Sequence, residues 1–215
     1  MPIKKAYSIS DIEKRKFKII KLIDQEWKRH LGEMERSGSV LVLGDSGHGK
    51  TTYALLKSKE LCNAERVLYN TAEEGIRASW QRSLSLNNMN SVRSKFMYVK
   101  EGYDDLFKRL SRKRQPKIVI IDSVQYFFRG KKVKDYYNLI ETFSDTLFIF
   151  LSHVKKGMPV GAIAEEIYWD CQNRIIIKDF KAYVAKSRCG GDEVIPLIIN
   201  QQKADERELK LLKEG

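Results

Sequence analysis

The residues with the clearest chemical meaning form a glycine-rich run, GDSGHGKTT, at positions 44–52. The run fits the pattern G-x-x-x-x-G-K-S/T, in which backbone N–H groups surround a phosphate. Lys50 would reach the β- and γ-phosphates of a nucleotide, and the Thr51 hydroxyl would bind Mg²⁺. A chance glycine-rich turn is the alternative. The predicted phosphate-binding residues are Gly44, Asp45, Ser46, Gly47, His48, Gly49, Lys50, Thr51 and Thr52.

A nucleotide site also needs a carboxylate near the metal. The apolar run Ile118–Ile121 ends in Asp122, and a buried strand that ends in Asp places the acid at the carboxyl edge of a sheet. Ligands bind at that edge in open α/β folds. We therefore expect Asp122 to hold Mg²⁺ through the water shell of the ion. An aspartate that only caps a strand end is the alternative.

Hydrolysis further needs a group that orients or deprotonates the attacking water. Glu73 and Glu74 follow the run that begins at Val67, so both would lie at the same edge. We assign the role to Glu73 and keep Glu74 as the second choice; the alternative is that both acids favour the N-terminus of the next helix. His153 and Ser152 end another apolar run and would contact the γ-phosphate, unless His153 is a structural histidine.

These groups depend on a regular alternation of strands and helices. The apolar runs are Val40–Leu43, Val67–Tyr69, Phe96–Val99, Ile118–Ile121 and Leu147–Leu151. The helical stretches between them are Thr51–Cys62, Gly75–Leu86, Asp104–Arg114 and Tyr136–Thr142. Near-continuous apolar strands that alternate with helices indicate an α/β fold with a mostly parallel central sheet covered on both faces.

The C-terminal part changes character. Arg174–Lys178 and Ala182–Lys186 predict a β-hairpin added to the sheet, and Val194–Ile199 predicts one more strand, at an edge because of Pro196. The charged residues from 200 onward predict a frayed or short helix without a function. We divide the chain into an N-terminal segment (1–36), a core (37–200) and a tail (201–215).

The first 36 residues predict one basic amphipathic helix. Ser10 and Glu13 resemble a capping box, and Gly32 is a natural stop. Apolar residues recur at helical spacing at Ile20, Ile23, Trp27 and Leu31. This stripe either packs on the sheet of its own chain or docks on a neighbouring subunit.

Composition limits the function classes. The 215 residues carry a net charge of +12, which favours a polyanionic partner: nucleic acid first, and an acidic protein or a membrane surface after it. A basic balance that only aids solubility is the alternative. The apolar runs are far too short to span a bilayer, so we expect no membrane partner. Cys62, Cys171 and Cys189 are widely spaced and predict neither a disulfide framework nor a zinc site. Because a signal-peptide pattern is lacking as well, we expect a cytoplasmic protein.

An ordered set of motifs is similar to a known family. The segments GDSGHGKT, YNTAEEG, IVIIDS, FLSHVKKG and AKSRCGG resemble the RecA-like ATPase core, in the branch that holds RadA and the DnaB-type helicases. The resemblance covers roughly residues 35–200. It implies a RecA-like P-loop fold that binds ATP and Mg²⁺, with the roles given above for Lys50, Thr51, Asp122 and Glu73.

The resemblance also implies an assembly. Lys186 and Arg188 would reach the γ-phosphate of a nucleotide held by the adjacent subunit, as an arginine finger does. Two exposed cations on a hairpin are the alternative; in the family element, an aromatic residue usually stands where this chain has Cys189. A homo-oligomeric ring or filament would then be needed to complete the site.

Nucleic acid binds loops facing the central channel in RecA-like rings, and two basic segments qualify. One is 125–134, which mixes aromatic residues with cations as base stacking requires; the other is 155–161. The expected contacts, to single-stranded DNA in the first instance, are Arg129, Lys131, Lys132, Lys134, Lys155 and Lys156. A solvated basic surface and a mobile turn are the alternatives.

The sequence therefore predicts a Mg²⁺-dependent ATPase, a motor or switch that acts on DNA in recombination, repair or replication. A small-molecule P-loop kinase is one rival, although only Arg77 and Arg82 could serve as the arginine-rich cover that such an enzyme needs. A regulatory protein that binds nucleotide with little turnover is the other.

Overall fold

The computed structural model describes residues 6–71 and 75–214, with the backbone alone at 213 and 214. The described strands are β1 (Ser39–Gly44), β2 (Val67–Thr71), β3 (Phe96–Val99), β4 (Ile118–Asp122), β5 (Leu147–Ser152), β6 (Val154–Lys155), β7 (Met158–Pro159), β8 (Asn173–Lys178), β9 (Lys181–Ser187) and β10 (Leu197–Ile198). The α-helices are α1 (Ile9–Glu13), α2 (Gln25–Leu31), α3 (Lys50–Leu61), α4 (Ala78–Leu86), α5 (Tyr103–Leu110), α6 (Val124–Phe127), α7 (Val133–Thr142), α8 (Ala162–Asp170) and α9 (Gln201–Glu214).

The strands form a mostly parallel sheet with the order β10-β9-β8-β1-β5-β4-β2-β3. The six strands from β8 to β3 in this order run parallel to one another, while β9 and β10 add to one edge in antiparallel pairs. The predicted α/β fold is confirmed, as is the antiparallel β8–β9 hairpin. β10 is shorter than the strand predicted over Val194–Ile199, but it does take the edge position.

Two apolar layers cover the sheet because successive strand residues point to opposite faces. On one face, Val40 and Val42 of β1 pack in a cluster with residues of α2, α3 and α4. On the other face, Leu41 and Leu43 pack in a cluster with residues of α5 to α8. Burial of a Leu or Val side chain contributes about 1.5–3 kcal/mol. The near-continuous apolar strands thus hold the carboxyl edge of the sheet in place.

The prediction of one long N-terminal helix is wrong. α1 is capped by Ser8, whose side chain accepts from the backbone of Asp11, rather than by the predicted Ser10. Residues 15–24 form no helix, and Ile19 makes an isolated antiparallel bridge with Glu35. α2 begins after a new cap, because the Asp24 side chain accepts from two backbone N–H groups. Its end at Gly32, with φ of 66°, agrees with the prediction.

The apolar residues of this segment pack on their own chain. Ile20, Leu22, Leu31 and Met34 are buried in the same cluster as β1. Glu60 of α3 binds this segment, since its carboxylate accepts hydrogen bonds from the backbone N–H groups of residues 23 and 24. Most of the predicted apolar stripe therefore packs on its own chain, which was the first of the two alternatives. Ile23 differs, because its side chain is exposed.

The β6–β7 hairpin and helix α8 were not anticipated. α8 follows the small β6–β7 hairpin, and both lie between β5 and β8 in the chain. The tail was predicted as a frayed or short helix, and it forms a 14-residue helix, α9, which is longer than expected. In the described ranges, the helices are too short or too polar to cross a membrane.

Candidate nucleotide site

Four neighbouring parallel strands bring the predicted residues to one edge of the sheet. β1 leads into the glycine-rich loop, β2 and β4 end in Thr71 and Asp122, and His153 follows β5. Their ends surround a cavity of about 300 Å³. The lining residues are Ser46, Gly47, Gly49, Lys50, Thr51, Thr52, Thr71, Asp122, His153, Phe180 and Lys203.

The loop at 44–49 leads from β1 into helix α3, and Gly47 and Gly49 in it have φ of 80° and 101°. Helix α3 begins at Lys50, so the backbone N–H groups of its first turn and its dipole favour an anion in the cavity. The Lys50 ammonium donates to the carbonyl oxygens of Gly44 at 2.5 Å and Asp45 at 2.8 Å. These contacts hold the ammonium at the cavity, where it adds a full positive charge to the helix N-terminus.

The turn of the β8–β9 hairpin closes over this loop. Asp179 and Phe180 form the turn with φ of 48° and 58°. The backbone N–H of Asp179 donates to Nδ1 of His48, and that of Phe180 donates to the His48 carbonyl. The Phe180 ring lies so close to Gly49 that a Cβ there would be 2.9 Å from it. Gly49, with φ of 101°, is therefore required both by its backbone angle and by this contact.

Oxygen donors for a magnesium ion meet in the same cavity. Thr51 supplies a hydroxyl and Asp122 a carboxylate, and Mg²⁺ prefers a few such oxygen ligands together with water. The phenol of Tyr69 donates to Oδ2 of Asp122 at 2.7 Å and fixes the carboxylate. Tyr69 is itself buried between aromatic neighbours. The donor set fits Mg²⁺; no cluster of three or more His, Cys, Asp or Glu side chains suited to another metal occurs in the described ranges.

The predicted water-activating acids, Glu73 and Glu74, lie outside the described residues. Thr71, the last described residue before them, pairs with Asp122 in the sheet and lines the cavity. The assignment of Glu73 stays a prediction.

The two residues predicted to contact the γ-phosphate, Ser152 and His153, have different surroundings. His153 lines the cavity. Ser152 is fully buried, and its hydroxyl accepts a hydrogen bond from the amide of Gln125 and donates to the His153 carbonyl. Ser152 therefore supports the position of His153 and does not itself face the phosphate position.

Lys186 and Arg188 lie apart from the cavity lining of their own chain. Lys186 donates to the carbonyl of Trp169 at 3.0 Å, and partial desolvation lowers its pKa. Arg188 is exposed. The structure thus places Lys186 near the end of β9, where it contacts the backbone of Trp169, and places Arg188 directly after that strand.

The two basic segments differ from the prediction in one respect. Phe127 and Phe128 are 2% and 5% exposed and pack in the core, so they are not available for base stacking. Tyr126 is exposed, and the Arg129 guanidinium lies 5.1 Å from its ring centre. The physical reason is that Phe127 ends the short helix α6 and Phe128 follows it directly, and both rings pack in the core cluster on that face of the sheet.

The cations themselves have different surroundings. Lys131 is bound by the Asp104 carboxylate at 2.7 Å, which raises its pKa. Lys132 and Lys134 are exposed near the start of α7. Lys155 and Lys156 are exposed at the tip of the β6–β7 hairpin, where Lys156 has φ of 53°.

Sequence reasoning missed four residues of the site: Tyr69, Thr71, Phe180 and Lys203. Tyr69 has the period-two spacing that places it on the same strand face as Thr71, and this signal was readable. Phe180 and Lys203 carry no local signal, because they reach the cavity only when the hairpin and α9 fold back over the loop. Lys203 lies 5.0 Å from the Phe180 ring centre, although the tail was expected to have no function.

A comparison with known proteins finds a partial similarity. Over 102 residues the chain is 29% identical to the DNA repair protein RadA of Aquifex aeolicus (strain VF5). The match covers 45% of this chain and 21% of the RadA chain, so the similarity spans about a fifth of that relative. A scan against protein families finds no match. The mostly parallel sheet and the RadA similarity together fit a RecA-like fold.

Proposed function

We propose that this chain is a RecA-like ATPase core that binds ATP·Mg²⁺ and acts on DNA. The observation that carries the proposal is the common cavity of Lys50, Thr51, Asp122 and His153 at the carboxyl edge of the sheet. Each of these side chains has the chemistry that a metal-bound triphosphate needs, and they come from three separate strand ends. The similarity to a DNA repair protein supports DNA as the partner.

Different residues would contact different parts of the bound nucleotide. Lys50 and the N-terminus of α3 neutralise the phosphate charge, while Thr51 and Asp122 hold the metal. When bound, Mg²⁺ stabilises the charge that develops on the phosphate oxygens. Glu73 orients the attacking water. Phe180 offers a ring face at the hairpin side of the cavity, where the base or ribose would lie.

Lys186 and Arg188 are proposed to complete the site of a neighbouring copy. Their position away from their own cavity supports this role, because a cation must contact the γ-phosphate to stabilise the transition state. A homo-oligomeric ring or filament would supply that contact, and the isolated chain would hydrolyse ATP slowly.

One assay separates this proposal from its rivals. Phosphate release from ATP is measured with and without single-stranded DNA, for the wild-type chain and for Glu73→Gln. Stimulation by DNA, with loss of turnover but retained ATP binding in Glu73→Gln, supports a DNA-dependent ATPase. ADP release that depends on a small acceptor supports a kinase, and low turnover under every condition supports a nucleotide-controlled regulator.

A further inference from the structure

Gln125, on helix α6, binds two separate parts of the chain through one side-chain amide. Its Nε2 donates to the Ser152 hydroxyl at 2.8 Å and to the Val160 carbonyl at 2.9 Å. Its Oε1 accepts the backbone N–H of His153 at 3.3 Å. Both donors and the acceptor of this half-buried amide are therefore used.

These contacts join the nucleotide cavity to a basic hairpin. His153 lines the cavity, and Val160 directly follows the β6–β7 hairpin, whose tip carries Lys155 and Lys156. The backbone N–H of Val160 also donates to the His153 carbonyl at 3.2 Å. The base of the hairpin is thus bound to the residue that faces the nucleotide.

Gln125 also lies close to the metal-binding residue along the chain. It is the third residue after Asp122, the end of β4, and it begins the segment that leads to Arg129. If nucleotide binding displaces Asp122 or His153, the displacement would be transmitted to the side-chain amide of Gln125. Both basic segments leave the sheet next to this amide.

We propose that Gln125 is a positioning residue that couples nucleotide occupancy to the placement of the Lys155–Lys156 hairpin, an inference that rests on the proposed function. The amide suits this task because its hydrogen bonds have fixed directions, so that His153 and Val160 keep one relative position. A glutamate of the same size has no donor for the Val160 carbonyl or the Ser152 hydroxyl and places a negative charge beside the former.

The first test compares Gln125→Ala and Gln125→Glu with wild type. A fluorescent ATP analogue reports nucleotide affinity, and the anisotropy of a labelled oligo(dT) reports nucleic-acid affinity with and without a non-hydrolysable ATP analogue and Mg²⁺. We expect the analogue to tighten oligo(dT) binding by wild type about tenfold. Both variants should bind nucleotide about as wild type does and lose most of this enhancement.

A second readout needs no nucleic acid. Trypsin cleaves after lysine, and mass spectrometry identifies cuts after Lys155 and Lys156. We expect the ATP analogue to change the rate of these cuts in wild type and to leave it unchanged in the Gln125 variants. Gln115→Ala is the matched control, because Gln115 precedes β4 at the end of the strand opposite to Asp122. It should behave as wild type in both experiments.

The outcomes separate this inference from the proposed function. Nucleotide binding with an unchanged enhancement in both Gln125 variants overturns the role of Gln125, as does a wild-type chain that binds nucleotide without any response at the hairpin. A wild-type chain that fails to bind nucleotide overturns the proposed function instead. If Gln125→Ala does not fold, as judged by circular dichroism, the isosteric Gln125→Glu decides.

Discussion

Two lysines of helix α3 have opposite surroundings. Lys50, the first residue, faces the cavity and binds backbone carbonyls of the glycine-rich loop. Lys57, about two turns further on, is fully buried, and its Nζ has no hydrogen-bond partner among the described residues. The Tyr53 ring centre lies 5.8 Å from that nitrogen. One lysine keeps its charge available to a ligand, and the other is packed like an apolar residue.

The difference follows from solvation. Desolvation lowers the pKa of Lys57 to about 7, although nearby Cys189 acts in the opposite direction. His30 lies in the same buried region, and desolvation followed by the charge of Lys57 lowers its pKa to about 3. A charge in this region lacks compensating groups and is costly. At the cavity end, by contrast, the Lys50 ammonium contacts the carbonyl oxygens of Gly44 and Asp45.

Lys50→Ala should have the largest effect. It removes the hydrogen bonds from a charged donor to the phosphates, which contribute about 2 kcal/mol each. Two such bonds correspond to about a thousandfold loss of ATP affinity. Isothermal titration calorimetry with a non-hydrolysable analogue and Mg²⁺ measures this. Lys57→Met is the control and should retain the affinity; equal affinities of Lys50→Ala and wild type would reject the site.

Lys57→Met should stabilise the fold. The pKa of Lys57 is about 7 in the folded state and 10.5 ordinarily. Between these values the unfolded chain holds a proton that the folded chain has lost, so the wild-type free energy of unfolding rises with pH by about 1.4 kcal/mol per unit. The variant lacks this slope and should be more stable by about 2 kcal/mol at pH 9, a difference that grows towards pH 7 and vanishes near pH 10.5.

Urea unfolding across this pH range measures the difference. Lys59→Met, two residues away and partly exposed, is the matched control and should follow the wild-type curve. Parallel pH dependences of Lys57→Met and wild type would show that Lys57 stays protonated in the folded chain.

The carboxyl edge of the sheet, with its glycine-rich loop and Asp122, could be predicted from the sequence because short consecutive runs of residues determine it. The glycine-rich run fixes a strand, a turn and a helix start within a few residues. Asp122 follows from the rule that parallel strands end at the same edge. By contrast, the interaction of Tyr69 with Asp122 depends on the register between β2 and β4. The approach of Phe180 depends on the curvature of a hairpin more than 120 residues along the chain.

Other features are ambiguous in a sequence. The apolar spacing from Ile20 to Leu31 fits a helix, yet the chain extends through residues 15–24 and still buries Ile20 and Leu22. A second cap at Asp24 competes with a continuous helix, and tertiary contacts with Glu60 decide the outcome. The burial of Lys57 could not be predicted from the sequence either, because a lysine within a helix is normally exposed.

The basic segments show a second contrast, with a smaller expected effect, between exposed lysines and a lysine that is paired with a carboxylate. Lys155 and Lys156 are exposed, whereas Lys131 is already bound by Asp104. Lys155→Ala combined with Lys156→Ala should weaken oligo(dT) binding and reduce the slope of log K against log salt by about 1.4, since each phosphate contact contributes about 0.7 for single strands. Anisotropy titrations from low to moderate salt measure the slope.

Lys131→Ala is the companion variant, and it should leave the slope nearly unchanged. Its ammonium must give up the Asp104 carboxylate before it contacts a phosphate, so little net charge is gained on binding. Lys132→Ala, on an exposed neighbour of Lys131, tests whether the segment itself is near the nucleic acid. If the slope falls as much for Lys131→Ala as for Lys132→Ala, the ion pair between Lys131 and Asp104 opens when nucleic acid binds. In that case, burial and pairing in the free chain do not determine which lysines contact the phosphates.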